Sequence, residues 1–215
     1  MKVDKSSMLL YAVTDRTWLK DRSLADVVEE AIKAGITFLQ LREKDLNYAS
    51  FLQLAREIRN ITDKYKIPYV INDNIEVAMA CGADGVHVGQ SDMDAKDVRR
   101  IIGQDKILGV SAQTVEQAVL AEKNGADYIG VGTVFPTSTK LDAEGVSFET
   151  LKEICKAVSI PVVAIGGINK DNAMKLAGSS IDGIAVVSAI FAQEDITAAV
   201  KELRQISSRM VSNEA

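Results

Sequence analysis

The stretch Gly125-Ala126-Asp127-Tyr128-Ile129-Gly130-Val131-Gly132 decides the fold of this chain. A glycine, a small residue and an aspartate precede a short apolar run, which is the pattern of a buried strand entered through a turn. Similar entrances occur at Gly35-Ile36-Thr37, Gly82-Ala83-Asp84 and Ser180-Ile181-Asp182, whereas Ile67-Pro68 and Ile160-Pro161 introduce two other apolar runs. The sequence therefore contains a weak internal repeat in which alternate strands share an entrance.

Strands and helices alternate along the whole chain. Strands are predicted at 8–13, 36–42, 68–72, 84–88, 106–110, 127–131, 161–165 and 182–187. Helices are predicted to begin near the N-cap residues Ser23, Asp94, Thr114, Ser147, Asn169 and Asp195, the last of them running through Leu203, and a further helix carries Phe51 and Ile58 on its inner face. Eight βα units with alternating entrances favour a closed (β/α)8 barrel over an open doubly wound sheet. We predict one TIM-barrel domain over residues 1–215, with flexible ends at 1–7 and 210–215.

Composition excludes several classes of protein. The chain has 215 residues, 47% of them hydrophobic, and a formal charge of -5 with no basic stripe, so nucleic acid is not an expected partner. A polar start and the absence of a long apolar run predict a cytoplasmic protein without a membrane segment. Cys81 and Cys155 are expected to be reduced thiols, and a single histidine, His87, leaves a zinc site without ligands.

Polar residues end the second predicted strand. With a period of two, Gln40, Arg42 and Lys44 share one face, which is directed into the barrel mouth where TIM barrels carry their chemistry. Burying an amide and two cations without partners would cost several kcal/mol, which an anionic ligand would offset. The alternative is that they pair with Asp73 or Asp92 across the mouth.

Two carboxylates follow the third and fourth strands. Asp73 and Asp92, with no histidine or cysteine beside them, form a hard oxygen site of the kind that suits Mg²⁺. The alternative is that each aspartate caps the helix that follows it. A magnesium ion is the one cofactor that the sequence predicts.

Two further polar residues lie on the fourth and fifth strands. His87, between two valines, is interpreted as a hydrogen-bonded interior histidine rather than a catalytic one. Ser111 offers a hydroxyl at the mouth, and because no histidine is free to activate it, a serine nucleophile is not expected.

The loop after the sixth strand and the turns after the seventh and eighth predict a phosphate site. The segment 135–145 carries Thr137, Ser138, Thr139 and Lys140, a set that suits phosphate oxygens in a binding loop or lid, although a solvated surface loop would have the same composition. Gly166-Gly167 and Ser188 could present backbone amides to a monophosphate, the alternative for the glycines being a tight turn. Two anion pockets predict two phosphorylated substrates.

Taken in order, these residues resemble the thiamine-phosphate synthase family over nearly the whole chain, from Leu10 to Ile190. The motifs that carry the resemblance are Gln40 to Lys44, Asn72-Asp73, Gly85-Val86-His87-Val88-Gly89-Gln90 with Asp92, Gly109-Val110-Ser111, Pro136-Thr137-Ser138-Thr139-Lys140 and Gly166-Gly167-Ile168. Asn74 and Gln113 depart from the family pattern, which has an arginine and a histidine at those positions. Neither position carries an expected contact.

The resemblance implies a transferase of thiamine biosynthesis. It would join 4-amino-2-methyl-5-(diphosphooxymethyl)pyrimidine to 4-methyl-5-(2-phosphoethyl)thiazole, or to the carboxylated thiazole, releasing diphosphate through a pyrimidine cation. Small phosphorylated molecules would be its partners, and a homo-oligomer is compatible with the sequence. The alternatives are a thiazole tautomerase of similar fold, which needs no diphosphate site, and a non-catalytic phosphate-binding barrel.

The resemblance also implies a role for each site residue. The catalytic set would be Lys140, Arg42, Lys44 and Ser111, and one Mg²⁺ would be held by Asp73 and Asp92. The pyrimidine diphosphate would contact Gln40, Leu41, Arg42, Glu43, Lys44, Asn72, Ser111 and Lys140. The thiazole phosphate would contact Thr137, Ser138, Thr139, Gly167, Val187 and Ser188.

Overall fold

Eight parallel strands close a barrel in a computed structural model that describes residues 3–137 and 145–212. Each strand pairs with the next along the chain, and β8 pairs with β1. The strands are β1 (Leu10–Val13), β2 (Phe38–Leu41), β3 (Tyr69–Asn72), β4 (Gly85–Val88), β5 (Ile107–Ala112), β6 (Tyr128–Val131), β7 (Val162–Ile165) and β8 (Gly183–Val186). The predicted (β/α)8 barrel is confirmed.

Helices surround the barrel. They are α1 (Leu24–Ala34), α2 (Tyr48–Tyr65), α3 (Ile75–Cys81), α4 (Ala95–Ile102), α5 (Val115–Lys123), α6 (Phe148–Ala157), α7 (Ser188–Phe191) and α8 (Ile196–Ser212), with 3₁₀ turns at Lys5–Met8, Arg16–Trp18 and Ala173–Leu176. The side chains of Ser23, Asp94, Thr114 and Ser147 cap the helices that were predicted to begin there.

The helical predictions fail at three places. The helix expected near Asn169 is wrong, because Asn169 and Asn172 hold a turn in which each side chain accepts a backbone amide, and only a 3₁₀ turn follows. Helix α3 was not predicted, although Asn74 caps it through the amide of Val77. The last helix continues to Ser212, beyond the predicted Leu203.

The shared entrances of the even-numbered strands have a physical cause. The residue before each even strand exchanges two hydrogen bonds with one residue at the start of the preceding odd strand: its backbone amide donates to that residue's carbonyl, and its side-chain oxygen accepts that residue's amide. The four pairs are Thr37 with Leu10, Asp84 with Tyr69, Asp127 with Leu108, and Asp182 with Val162. Each entrance also turns through a positive φ, at Gly35, Gly82, Gly125 and Ser180. The repeat therefore satisfies strand ends that the barrel would otherwise leave unpaired.

Side chains fill the inside of the barrel. Tyr11, Phe38 and Tyr128 are buried there, with ring centroids 4.6 to 5.8 Å apart. Leu39 and Leu41 instead belong to the outer core between strands and helices, which confirms the predicted alternation along β2. Because the interior is packed, a ligand must bind at the open ends of the strands.

The described chain carries no disulfide at either cysteine, Cys81 being buried and Cys155 partly so. The expectation of unbridged thiols is therefore confirmed. In residues 3–137 and 145–212, the helices are too short or too polar to cross a bilayer.

Candidate functional site

Strand β2 delivers an amide and a cation to the barrel mouth. The Gln40 side chain is 5% exposed, and its Nε2 donates to the Tyr11 hydroxyl at 2.6 Å. The Arg42 backbone amide donates to Thr14 Oγ1 at 3.0 Å, and the guanidinium lies 3.8 Å from Asp15. The salt-bridge partner of Arg42 is therefore Asp15, while Asp73 lies near enough for the charge of Arg42 to lower its pKa.

The remaining residues of the 40–44 motif lie in different surroundings. Lys44 is exposed, and within the described residues it forms no salt bridge. Leu41 turns its side chain toward the helices, so only its backbone can reach a ligand. The Glu43 side chain is 4% exposed and pairs with Arg16 at 3.0 Å through Oε2, while Oε1 finds no hydrogen-bond partner among the described residues. Burial raises the pKa of Glu43, although the positive charge of Arg16 acts to lower it.

Asp73 and Asp92 come together as predicted. Partial desolvation of Asp73, followed by its hydrogen bond to and repulsion from Asp92, raises the pKa of Asp73 to about 6. Asn72, which donates its amide to Asp73, and the charge of Arg42 act in the opposite direction. Two acidic oxygens and one guanidinium therefore converge at the ends of β2, β3 and β4.

The alternative that these aspartates cap helices is not realised. Asn74 caps α3, and Asp94 caps α4. Asp92 instead accepts the Gly89 amide at 2.7 Å through one oxygen, and the Asp73 backbone amide donates to the His87 carbonyl at 2.8 Å.

Asp73 and Asp92 offer only carboxylate oxygens to a divalent cation. Within residues 3–137 and 145–212, no group of three or more His, Cys, Asp or Glu side chains could enclose a metal ion. Two neighbouring carboxylates of like charge nevertheless fit Mg²⁺. This ion binds oxygen ligands, keeps several of its waters and is also bound by phosphate oxygens. Asp73 and Asp92 would hold it only together with water and a phosphorylated ligand.

Strands β4 and β5 bring a histidine and a serine into contact. His87 is 8% exposed, and its Nε2 lies 2.9 Å from Ser111 Oγ while its Nδ1 lies 2.9 Å from the Tyr128 hydroxyl. His87 is thus a hydrogen-bonded interior histidine, as interpreted from sequence. The contact between His87 and Ser111 was not predicted, and it arises because inward-facing positions of β4 and β5 lie side by side.

The loop after β6 rests on the turn after β7. The amides of Val134 and Phe135 donate to the carbonyls of Ile165 and Gly166, both at 3.0 Å. A Cβ on Gly167, where φ is +64°, would lie 2.4 Å from the Pro136 carbonyl oxygen. A side chain at this turn would collide with the loop after β6, so the paired glycines do more than form a tight turn.

Of the remaining residues predicted to contact phosphate, the structure describes only some. Ser188 is exposed at the start of α7, where Val187 provides no side-chain cap. Thr137 is half-buried in the loop after β6, where it is the last residue described before position 145. Ser138, Thr139 and Lys140 lie outside the described residues.

Sequence reasoning missed two polar residues of the interior. Tyr11 and Tyr128 join Gln40 to His87 through their hydroxyl groups, which lie 2.8 Å apart. The available signal was their position on inward faces of β1 and β6, where a phenol needs a hydrogen-bond partner.

Comparison with known proteins gives a consistent result. A family model described as thiamine monophosphate synthase matches residues 10–190. The thiamine-phosphate synthase of Clostridium tetani is 56% identical over 194 residues, which are 90% of this chain and 93% of that protein. The thiamine-phosphate synthase of Ruminiclostridium cellulolyticum is 55% identical over 202 residues, which are 94% of this chain and 96% of that protein.

A solved structure is similar over almost the same span. The thiamine phosphate pyrophosphorylase of Pyrococcus furiosus is 39% identical, with a TM-score of 0.89, over 96% of this chain and 98% of its own. The span matched by the family model runs from the first residue of β1 into α7. It therefore contains every strand end that carries a predicted site residue.

Proposed function

The chain belongs to the thiamine monophosphate synthase family, and from this we propose that it joins the pyrimidine diphosphate and the thiazole phosphate into thiamine phosphate, releasing diphosphate. The observation that carries the proposal is the convergence of Arg42, Asp73 and Asp92 at one end of the barrel. This end is where TIM-barrel enzymes carry their chemistry. A cation beside two acidic oxygens suits a diphosphate that brings its own magnesium ion.

The proposed reaction needs no protein nucleophile. The bond between the pyrimidine methylene carbon and the diphosphate oxygen breaks, and its electron pair leaves with diphosphate. The aminopyrimidine ring delocalises the positive charge, and the lone pair of the thiazole nitrogen then forms the new carbon–nitrogen bond. The product is a thiazolium, so the atoms and charges balance without an added acid or base.

The protein positions the reactants and stabilises the charge of the leaving group. Arg42 and Lys44 are proposed to bind diphosphate, and Lys140 keeps this role from the family resemblance. Mg²⁺, when bound by Asp73 and Asp92, would neutralise part of the diphosphate charge. Gln40, Asn72 and Ser111 are proposed to face the pyrimidine, and Leu41 and Glu43 are proposed to add contacts, Leu41 through its backbone.

The thiazole phosphate is proposed to bind on the other side of the mouth. Its contacts would be Thr137, Ser138, Thr139, Gly167, Val187 and Ser188. The support for this location is that β7 and β8 are neighbours, so the turn at Gly167 and the start of α7 lie next to one another. Cytoplasmic location and action as one catalytic domain belong to the same proposal.

The test mixes the purified protein with both substrates and Mg²⁺ and follows thiamine phosphate and diphosphate. Equal amounts of the two products are expected, and no product after complete chelation. If neither forms, the proposed synthase activity is wrong. Isomerisation of the thiazole phosphate alone would instead indicate a tautomerase, and binding without turnover a phosphate-binding barrel.

A further inference from the structure

A continuous chain of hydrogen bonds crosses the inside of the barrel. It runs from Gln40 through Tyr11, Tyr128 and His87 to Ser111, with successive polar atoms 2.6, 2.8, 2.9 and 2.9 Å apart. Its members come from five strands, β2, β1, β6, β4 and β5. The two phenols are at most 1% exposed, so the middle of this chain is shielded from bulk water.

One assignment of donors, which begins at the Gln40 amide, satisfies every bond in this series. Gln40 Nε2 donates to the Tyr11 oxygen, and in this assignment the Tyr11 hydroxyl donates to the Tyr128 hydroxyl. The Tyr128 proton is then available to His87 Nδ1, which leaves the histidine proton on Nε2 and directed at Ser111 Oγ. Every bond from Gln40 to Ser111 then has one donor and one acceptor, and the Ser111 hydroxyl can donate its own proton to a group in the barrel mouth.

Both phenols are able to keep their protons in this role. Burial raises the pKa of Tyr11 and of Tyr128 far above the ordinary value for tyrosine. The two phenols therefore stay protonated near neutral pH and can donate hydrogen bonds.

We propose that Tyr128 and His87 are positioning residues for the pyrimidine substrate. They hold Ser111 in one orientation and, through Tyr11, fix it relative to Gln40 on β2, three strands away around the barrel. This inference rests on the proposed function, in which Gln40 and Ser111 are the side chains that face the pyrimidine ring. Neither Tyr128 nor His87 needs to touch the substrate.

Tyr128→Phe is the direct test, because it removes the oxygen shared by two bonds and keeps the ring that packs against Tyr11 and Phe38. We expect kcat to fall roughly 10- to 100-fold, since misplaced contact groups lose rate steeply. The KM for the pyrimidine diphosphate should rise, and that for the thiazole phosphate should not change. Wild-type kinetics in this variant would overturn the proposal.

Tyr69→Phe is the matched control. Tyr69 is also fully buried, but its hydroxyl donates to the Ala55 carbonyl at 3.2 Å on the outer side of the barrel. Both variants lose a buried hydrogen bond, so both should lose stability. Only Tyr128→Phe should change the kinetics, and equal kinetic losses in the two variants would show a merely structural role.

A double-mutant cycle tests whether Tyr128 acts through Ser111. In a Ser111→Ala background, Tyr128→Phe should change kcat by less than about twofold, because coupled residues are not additive. A full additional loss would overturn the coupling. His87→Gln, whose amide nitrogen reaches about as far as Nε2, should keep more activity than the shorter His87→Asn.

The single histidine provides a readout that does not need turnover. A ¹⁵N spectrum of the whole protein should show a neutral His87 ring protonated at Nε2, and Ser111→Ala should shift the Nε2 signal. Protonation at Nδ1 would overturn the proposed chain of donors. If the wild type fails to make thiamine phosphate while the spectrum is as expected, the proposed function fails and the hydrogen-bonded chain stands.

Discussion

Asp73 and Asp92 are the two residues whose geometry most constrains the chemistry of the barrel mouth. The pKa of Asp73 is raised because this carboxyl group is partly desolvated and because Asp92 lies within hydrogen-bond reach and carries the same charge. A pair of this kind gains most from a divalent cation, because a cation between them removes the repulsion. The carboxylate pair is thus better explained by a charged ligand than by the stability of the fold.

Asp73→Asn and Asp92→Asn should each abolish most of the Mg²⁺ response. We expect kcat/KM at saturating Mg²⁺ to fall on the order of 100-fold, since each change removes an anionic ligand and keeps its shape. Activity measured across a Mg²⁺ titration checks this. Asp105→Asn, an exposed aspartate outside the mouth, is the control and should behave as the wild type.

The two variants should not unfold the protein. Wild-type Mg²⁺ dependence in both of them would remove these aspartates from the metal site.

At the residue scale, the sequence predicted which way a side chain points from its strand better than it predicted which side chain it contacts. The period of two along β2 placed Gln40 and Arg42 at the mouth. It could not show that Tyr11 and Tyr128 meet, because their hydroxyls come from strands that are not neighbours and lie 117 residues apart in the chain. Contact across a barrel depends on closure, which no local pattern encodes.

The turn after β7 is the element that supports the loop after β6. Gly167→Ala introduces a Cβ at 2.4 Å from the Pro136 carbonyl oxygen, so the loop must move. We expect kcat/KM to fall at least about tenfold, because the displaced loop carries proposed phosphate contacts. Steady-state kinetics and thermal unfolding measure the two effects separately.

Gly82→Ala is a matched control for that change. Gly82 has a φ of +70°, close to the +64° of Gly167, but a Cβ there would meet nothing within 4 Å. It should cost about 1 kcal/mol of stability, as expected for a left-handed residue. Its kcat should remain normal, and equal activity losses in both variants would mean that strain alone explains the effect.

Helices α1 and α2 are joined by a charge cluster that titrates. Lys64, then Tyr65 and Lys33, lower the pKa of Glu29 to about 2. A lowered pKa in the folded state gives stability that is present above about pH 4.5, the unfolded value, and is lost as the pH falls toward 2. The thermal midpoint of Glu29→Gln should therefore lie below that of the wild type at pH 7, and the gap should close at pH 2 to 3.

Two controls separate this effect from general acid unfolding. Glu57→Gln changes an exposed glutamate that forms no ion pair with the described residues, and it should leave the midpoint unchanged. High salt should narrow the gap at pH 7, since the cluster lies near the surface. A gap that persists at pH 2 would contradict the assignment to Glu29.

At the element scale, caps were the most reliable signal in the sequence. Ser23, Asp94, Thr114 and Ser147 were predicted from residue type and confirmed in place. Asn169 failed because asparagine also stabilises turns, and the local sequence does not choose between the two. Helix α3 was missed because seven residues give too few turns for a clear apolar period.

The two ends of the barrel differ: contacts at one end stabilise the fold, and the other end carries the proposed binding site. At the N-terminal ends of the strands, the four entrance pairs and Arg99 satisfy buried backbone groups. At the C-terminal ends, Glu43 has an oxygen without a hydrogen-bond partner in the described part of the chain, and Asp73 has a raised pKa. These acidic groups thus lie at the end of the barrel where Mg²⁺ and the phosphorylated substrates are proposed to bind.

Asp127→Ala tests this division at the stabilising end. One oxygen of Asp127 accepts both the Leu108 amide and the Arg99 guanidinium, whose side chain is 9% exposed. Its removal should cost about 3 kcal/mol, because it leaves a buried charge and a strand amide without their acceptor. For a chain of this size the thermal midpoint should fall by about 10 °C. Asp127→Asn keeps an acceptor oxygen and should lose less stability.

Below its thermal midpoint, Asp127→Ala should keep wild-type kcat and KM, since Asp127 lies at the opposite end of the barrel from the proposed site. A loss of kcat in the folded variant would show that the two ends of the barrel are coupled.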